Sequence, residues 1–243
     1  ARRDFSDAEI EALRSHLDRG GDLMIFRDPT ISSLPNLDAL CEEWGIAVTD
    51  EVVLESSQYM GDPATIIPQF GTSMINVWFS EHSSYVVLPT ARRLTLSQGT
   101  NGIVNSVLRS TGSSYSKSIE DFGSYERSAD DQTGPFNLAA TSERTFSAAD
   151  GSERTQYVFE MACTQFYADV YLNTTSIGNS DFVLQALAYF TGSDISLNIP
   201  VKDLRAPNIA LPQSFIVTFA FLFACGMIYT NSTNVVYATE DEH

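Results

Sequence analysis

The sequence predicts an α/β fold in which a mainly parallel sheet is flanked by helices, as in amidotransferase-like and Rossmann-like three-layer domains. The first observation behind this prediction is the opening stretch, residues 4–29, which reads as a capped amphipathic helix followed by a short apolar strand. The second is the order of the elements that follow, because strand, helix and strand in succession are typical of a parallel sheet with crossover helices.

The opening helix begins at a capping box. Ser6 and Glu9 have the S-x-x-E spacing, in which each side chain accepts a hydrogen bond from the backbone of the other residue. Apolar residues then recur at helical spacing as far as Leu17. The glycine pair at 20–21 predicts the end of the helix. The apolar run at 23–26 shows no alternation, which indicates a strand covered on both faces.

The rest of the predicted domain, residues 1–205, follows the same pattern. A second helix begins near Leu34 and ends at Gly45. Residues 98–135 are rich in Gly, Ser, Thr, Asn and Asp, which predicts a polar insertion or loop region. The predicted strands lie at about residues 22–27, 46–54, 85–88 and 157–162.

Charge and cysteine content exclude several functions. The chain carries 31 acidic and 14 basic residues, a formal net charge of −17, so its field repels phosphate backbones and excludes nucleic acid as a partner. Cys41, Cys163 and Cys225 are far apart and odd in number, which suits neither a disulfide framework nor a metal knuckle. We interpret the thiols of Cys41, in a predicted helix, and Cys163, in an apolar strand, as buried packing groups.

Several stretches carry a resemblance to a known family. They are DFSDAEIEALRSHLDRGGDLMIFRDP and LPNLDALCEEWGIAVTDEVVLE near the start, YVVLPTARRLT at 85–95, and GNSDFVLQALAYFTG at 178–192. In this order they resemble the extracytoplasmic domain of GldG-type (gliding-motility-type) proteins, auxiliary subunits of ABC transport systems. The resemblance implies a fold, a membrane setting, and an ABC permease and its ATPase as partners. It implies no reaction, because each motif is structural.

The N-terminus carries a further expectation. A fold of the predicted type normally begins with a strand before the first helix, whereas Ala1 is followed directly by the helix cap. The sequence therefore reads as clipped at its start, where a strand and an export or anchoring segment are expected.

The segment 206–243 predicts a membrane helix and a tail. Residues 206–239 contain no charged side chain, and residues 209–229 have about the length that crosses the hydrocarbon core. The GldG resemblance also places a membrane helix here. The alternative is a buried hairpin of two strands. The flanking charges, basic at Lys202 and Arg205 and acidic after the helix, are opposite to the positive-inside rule for an extracytoplasmic domain.

A search for catalytic signatures finds no nucleophile elbow, P-loop, H-E-x-x-H or G-x-G-x-x-G motif. No catalytic, cofactor-binding or metal-ligating residue is therefore predicted. Arg27 and Asp28 follow the first strand, where open α/β sheets bind ligands, although a loop-capping role also explains Asp28. Tyr167 and Tyr171 belong to an aromatic stretch that suits a ligand or partner groove, or alternating core and surface positions.

These observations favour a non-enzymatic, membrane-anchored auxiliary or binding subunit that works beside an ABC permease and ATPase. Its location would be the cell membrane, with the main domain extracytoplasmic, either periplasmic or at the cell surface. Two alternatives stay open. One is a hydrolase or amidotransferase-like enzyme with a site built from loops, and the other is a soluble scaffold or binding domain whose apolar tail is a core hairpin.

The tail prediction is tested by a charge near its centre. If residues 209–229 form a membrane helix, Ala220→Arg should cost about 2.5–3.5 kcal/mol of insertion and release the chain from membranes. In a hairpin the same change would disturb folding and leave fractionation unchanged. Recovery of the unaltered full chain in the soluble fraction without detergent would contradict the membrane helix.

Overall fold

The computed structural model describes residues 1–98, 102–147 and 151–192, which contain eleven strands and five α-helices. The helices are α1 Asp7–Asp18, α2 Pro35–Glu43, α3 Val77–His82, α4 Asp169–Leu172 and α5 Asn179–Thr191. The strands are β1 Leu23–Phe26, β2 Ile46–Leu54, β3 Thr65–Ile66, β4 Gln69–Phe70, β5 Leu88–Pro89, β6 Ala91–Leu96, β7 Ile103–Arg109, β8 Tyr115–Ser118, β9 Gln132–Thr133, β10 Asn137–Ser147 and β11 Glu153–Met161.

Nine of these strands form one mixed sheet in the order β1-β11-β10-β6-β2-β8-β9, with β7 paired to β10 and β4 paired to β7. The remaining two, β3 and β5, form a small antiparallel pair. Strand β10 is the hub of the sheet. It pairs with β11 over most of its length, and its opposite side pairs with β6 at Asn137 and with β7 beyond it.

The prediction of a mainly parallel three-layer sheet is wrong. Among the described residues only β1 and β11 pair in parallel, and every other pairing in the sheet is antiparallel. The reason is that β2 is not followed by a crossover helix. Its neighbour β6 pairs with it antiparallel, with Ile46 opposite Leu96, and β10 pairs antiparallel with β11, with Ala139 opposite Met161.

The segment 98–135, predicted as a polar insertion, contributes three strands to the sheet. Strand β7 pairs with β10, and its Val107 and Leu108 are buried in the core. Strand β8 pairs with β2 and with β9. The sequence concealed these strands because β8 and β9 consist mainly of polar residues, and the apolar residues of β7 are adjacent pairs separated by Asn105 and Ser106 rather than an alternating series.

The opening elements agree with the prediction in detail. Both halves of the capping box are present, since Ser6 Oγ accepts from Glu9 N at 3.4 Å and Glu9 Oε2 accepts from Ser6 N at 2.8 Å. Gly20 takes a left-handed φ of 82° where the helix ends. The predicted strands at 46–54 and 157–162 correspond to β2 and β11. The predicted strand at 85–88 overlaps only the short β5, at Leu88.

Strand β1 is packed on both faces. Ile25 belongs to a cluster with Ile10, Leu17 and Leu40, so helices α1 and α2 cover one face. Met24 and Phe26 pack against the second core, which contains Phe159 and Phe182 and is covered by α3 and α5. The alternation of inward residues on opposite faces explains the unbroken apolar run of this strand.

The predicted membrane helix at 209–229 lies outside the described residues. In the part of the chain that the structure does describe, no helix combines the length and the apolar character needed to cross a bilayer.

The capping box gives a stability prediction. Ser6→Ala removes the acceptor for Glu9 N and should lower the free energy of unfolding by about 1 kcal/mol in a denaturant melt. Ser176→Ala, at an exposed serine that is not itself an N-cap residue, is the matched control and should change stability by less than about 0.5 kcal/mol. Equal stability of the two variants would contradict the proposed helix start.

Candidate functional site

The candidate site at the end of β1 is a buried network of charged side chains centred on Arg27. The Arg27 side chain is 3% exposed. Its Nε donates to Glu160 Oε1, and its Nη1 donates to Asp38 Oδ1. Glu160 is fully buried, whereas Asp38 is partly exposed. The sequence prediction placed Arg27 near a ligand, but the structure places it between two carboxylates of its own chain.

Three elements bring these groups together. Arg27 directly follows β1, and Glu160 comes from β11, where it lies opposite Ile25 in the parallel register. Asp38 lies in the first turn of α2, and its second oxygen accepts a hydrogen bond of 3.0 Å from the backbone N of Leu34, the N-cap residue. The same aspartate therefore satisfies an orphan donor at the helix start and holds the guanidinium.

Burial governs the protonation of this network. It raises the pKa of the Glu160 carboxyl above its ordinary value, although the adjacent Arg27 guanidinium acts in the opposite direction. Burial also raises the pKa of the Cys41 thiol well above its ordinary value, and the charge of Glu160 adds to this shift. Cys41 is 1% exposed. A thiol in this state is protonated at neutral pH and is a poor nucleophile.

Asp28, the second predicted site residue, caps the loop that leaves β1. Its Oδ1 accepts from Thr30 N at 3.0 Å and from Thr30 Oγ1 at 2.7 Å, and its Oδ2 pairs with Arg2 Nε at 2.8 Å. Burial acts to raise the pKa of Asp28, but these hydrogen bonds and the ion pair outweigh it and lower the pKa. The loop-capping interpretation accounts for every one of these contacts.

A second buried guanidinium, Arg92, was not predicted as a functional residue. Its Nε donates to the Thr49 carbonyl at 2.8 Å, and its Nη2 donates to the Ser32 carbonyl at 2.9 Å and to Asp50 at 2.7 Å. Its Nη1 donates to the Ile31 carbonyl. The signal in the sequence was its place in the YVVLPTARRLT stretch, but nothing there showed that the loop after β1 would supply its acceptors.

The two predicted tyrosines lie apart from the charge network. The Tyr167 side chain is 45% exposed, and its ring meets the ring of Phe26 edge-on, with 5.1 Å between the centroids. Tyr171 lies on α4, where burial first, and then the charges of Asp62 and Cys163, raise its pKa. The structure therefore brings Tyr167 to β1 and leaves Tyr171 on the helix that follows.

The concave feature next to these residues is an apolar groove along β1. Its volume is about 290 Å³, and its walls come from β1, α1, the start of α2 and Tyr167. Leu13 and Leu37 line one side of the groove and Phe26 and Tyr167 the other. Within the described ranges, no three His, Cys, Asp or Glu side chains are grouped so that they could hold a metal ion.

Comparison with known proteins adds the fold alone. No protein-family model and no curated protein sequence matches this chain. A solved structure described as "mmIFT52 N-terminal domain" is similar in fold, with a TM-score of 0.53 and 20% sequence identity. The match covers 80% of this chain and 75% of that chain. The likeness is consistent with the mixed sheet described above, in place of the predicted parallel one.

The network predicts an asymmetric response to substitution. Arg27→Met leaves Glu160 buried without its cation and should lower the free energy of unfolding by about 3–5 kcal/mol at neutral pH. The matched control is Arg14→Met, which removes an ion pair to Glu43 whose side chains are 35% and 40% exposed. This control should lose no more than about 1 kcal/mol. Urea unfolding of both variants measures the difference.

The same measurement has a pH dependence. Folded Glu160 holds its proton more tightly than the unfolded chain does, so its contribution to stability is greatest below the ordinary value of 4.5 and declines as pH rises through the raised pKa. Removal of Arg27 raises this pKa further. The deficit of Arg27→Met should therefore be largest at neutral pH and shrink towards pH 4.5, and a deficit independent of pH would contradict the assignment.

Proposed function

We propose that the chain is a non-enzymatic binding subunit of a membrane transport assembly, and that its partners are an ABC permease and its ATPase. The choice of partners rests on the GldG resemblance of the sequence. The choice of a binding rather than a catalytic role rests on one observation, the engagement of Arg27, Glu160 and Asp38 with one another inside the fold.

A reactive site at this position would need charged or nucleophilic groups that meet a substrate. Here the guanidinium of Arg27 is used by two carboxylates, and Asp28 is used by Thr30 and Arg2. The polar groups at the end of β1 thus stabilise the loop and the sheet, and they are arranged as a structural support.

The thiols give no support to an amidotransferase-like reaction. Burial raises the pKa of Cys163 to about 12, and its Sγ donates to the Pro89 carbonyl at 3.0 Å. Cys41 is likewise buried, inside α2 rather than on a turn between a strand and a helix. Nucleophilic cysteines instead have a lowered pKa and partial exposure.

The first test is removal of the thiols. Cys163→Ser keeps a donor for the Pro89 carbonyl, and Cys41→Ser keeps a small polar group, so both variants should leave transport by the assembled system within about twofold of the unaltered chain. Transport in whole cells measures the effect. Loss of transport by a variant that still folds and assembles would favour the enzyme alternative.

The second test addresses the partners. The tagged full chain is cross-linked in its native membranes and purified, and the permease and ATPase subunits are quantified by mass spectrometry. The proposal requires both subunits to be enriched over a membrane protein of equal abundance carrying the same tag. Enrichment of neither subunit would reject this choice of partners and leave the scaffold alternative.

A further inference from the structure

Strand β1 has the sequence of an interior strand but lies at the end of the sheet. In the described part of the chain it pairs with β11 alone, with Leu23 opposite Val158. All four of its residues are apolar, and they alternate between the two cores. Edge strands usually carry charged or interrupting residues that discourage pairing with a further strand, and β1 carries none.

Ala1 already occupies the next strand position. Its amino nitrogen donates to the Phe26 carbonyl at 2.5 Å, and its carbonyl accepts from Asp28 N at 3.3 Å. One residue that bonds in this way to the two neighbours of Arg27 forms the hydrogen-bond pattern of a parallel ladder. Any polypeptide joined to the N-terminal side of Ala1 that continues this ladder therefore runs alongside β1 in the same direction.

The connection between Ala1 and β1 fits this arrangement. Parallel neighbours need a crossover of a dozen or more residues, usually a helix, to bring the chain back to its starting end. Helix α1, Asp7–Asp18, lies between Ala1 and β1 and packs through Ile10 and Leu17 on the face that carries Ile25. A strand before Ala1, α1 and β1 would together form a βαβ unit.

The groove along β1 offers the space and the surface for such a strand. It is about 290 Å³ in volume, and its lining includes Ala1 itself. Phe5 and Leu13 lie on the α1 side, and Tyr167, 45% exposed, lies on the other. Apolar walls on both sides suit a strand whose side chains are apolar at successive positions.

We propose that this groove binds an extended apolar segment joined to the N-terminal side of Ala1, which adds to the sheet as a strand parallel to β1. Backbone N–H and C=O groups alternate between the two edges of a strand from one residue to the next. Because the Phe26 carbonyl faces Ala1 and Arg27 N bonds to the Met161 carbonyl of β11, the N–H groups of Met24 and Phe26 lie on the open edge. The added strand accepts hydrogen bonds from these two N–H groups. The inference is independent of the partners proposed above.

The test extends the full chain by five residues before Ala1. One variant carries Val-Ile-Val-Ile-Val, a second Gly-Ser-Gly-Ser-Gly, and a third Val-Ile-Val-Pro-Val. The third has the same length and nearly the same apolar character, but its proline stands two residues before Ala1, where the ladder requires an N–H directed at β1, so it cannot continue the ladder. Amide hydrogen exchange of Met24 and Phe26 is compared in the three. The N–H groups of Leu23 and Ile25, which face β11, serve as internal controls.

In the Val-Ile-Val-Ile-Val chain, exchange at Met24 and Phe26 should slow by about tenfold or more relative to the other two, and the urea midpoint should rise. Leu23 and Ile25 should change no more than the global stability requires. Equal exchange in the three chains overturns the proposal. So does slowed exchange that appears only in a dimer detected by sedimentation, because the occupant would then be a second copy.

Discussion

The Arg27 guanidinium, buried between Glu160 and Asp38, joins the parallel edge of the sheet to the helix that covers it. A buried cation without a partner costs several kcal/mol, so the folded state is stable only when the end of β1, β11 and the start of α2 lie next to one another. The pair with Glu160 fixes β1 beside β11 at the end where Phe26 lies opposite Met161. The contact with Asp38 fixes the start of α2 above the same point.

Arg92 extends this arrangement into the antiparallel part of the sheet. It leaves β6 and binds carbonyls of the loop that follows β1, at Ile31 and Ser32. It also binds Thr49, in the part of β2 where the pairing with β6 is interrupted between Val48 and Val52. The two guanidinium groups thus attach one loop to both parts of the sheet.

How far the sequence predicted the fold depended on the kind of signal. Local chemistry was reliable, since the capping box at Ser6, the left-handed Gly20 and the apolar strand β1 are all present. Strand direction was not predicted, because hydrophobic patterns identify a strand without identifying its neighbour. Strand β7 lacked even that signal, since Asn105 and Ser106 interrupt its apolar residues and its partner β10 is distant in sequence.

The site shows the same division. The position of Arg27 and Asp28 at the end of a strand was correctly predicted. Glu160 is 133 residues from Arg27 in the sequence and becomes the partner of Arg27 only through the parallel pairing of β1 with β11. The sequence signal for this partner was the position of Glu160 between the apolar residues Phe159 and Met161, which indicates a buried carboxylate. The charged groups at the end of β1 contact one another inside the fold, whereas the groove beside β1 is lined mainly by apolar side chains.

The central claim is that Arg27 and Glu160 act as one structural unit, and a double-mutant cycle of unfolding free energies tests it most directly. Arg27→Met, Glu160→Leu and the double variant are compared with the unaltered chain at neutral pH. We expect the double variant to be more stable than the sum of the single losses predicts, with a coupling of about 1–3 kcal/mol. Losses that add to within about 0.5 kcal/mol would show that the two side chains contribute independently and would contradict the account.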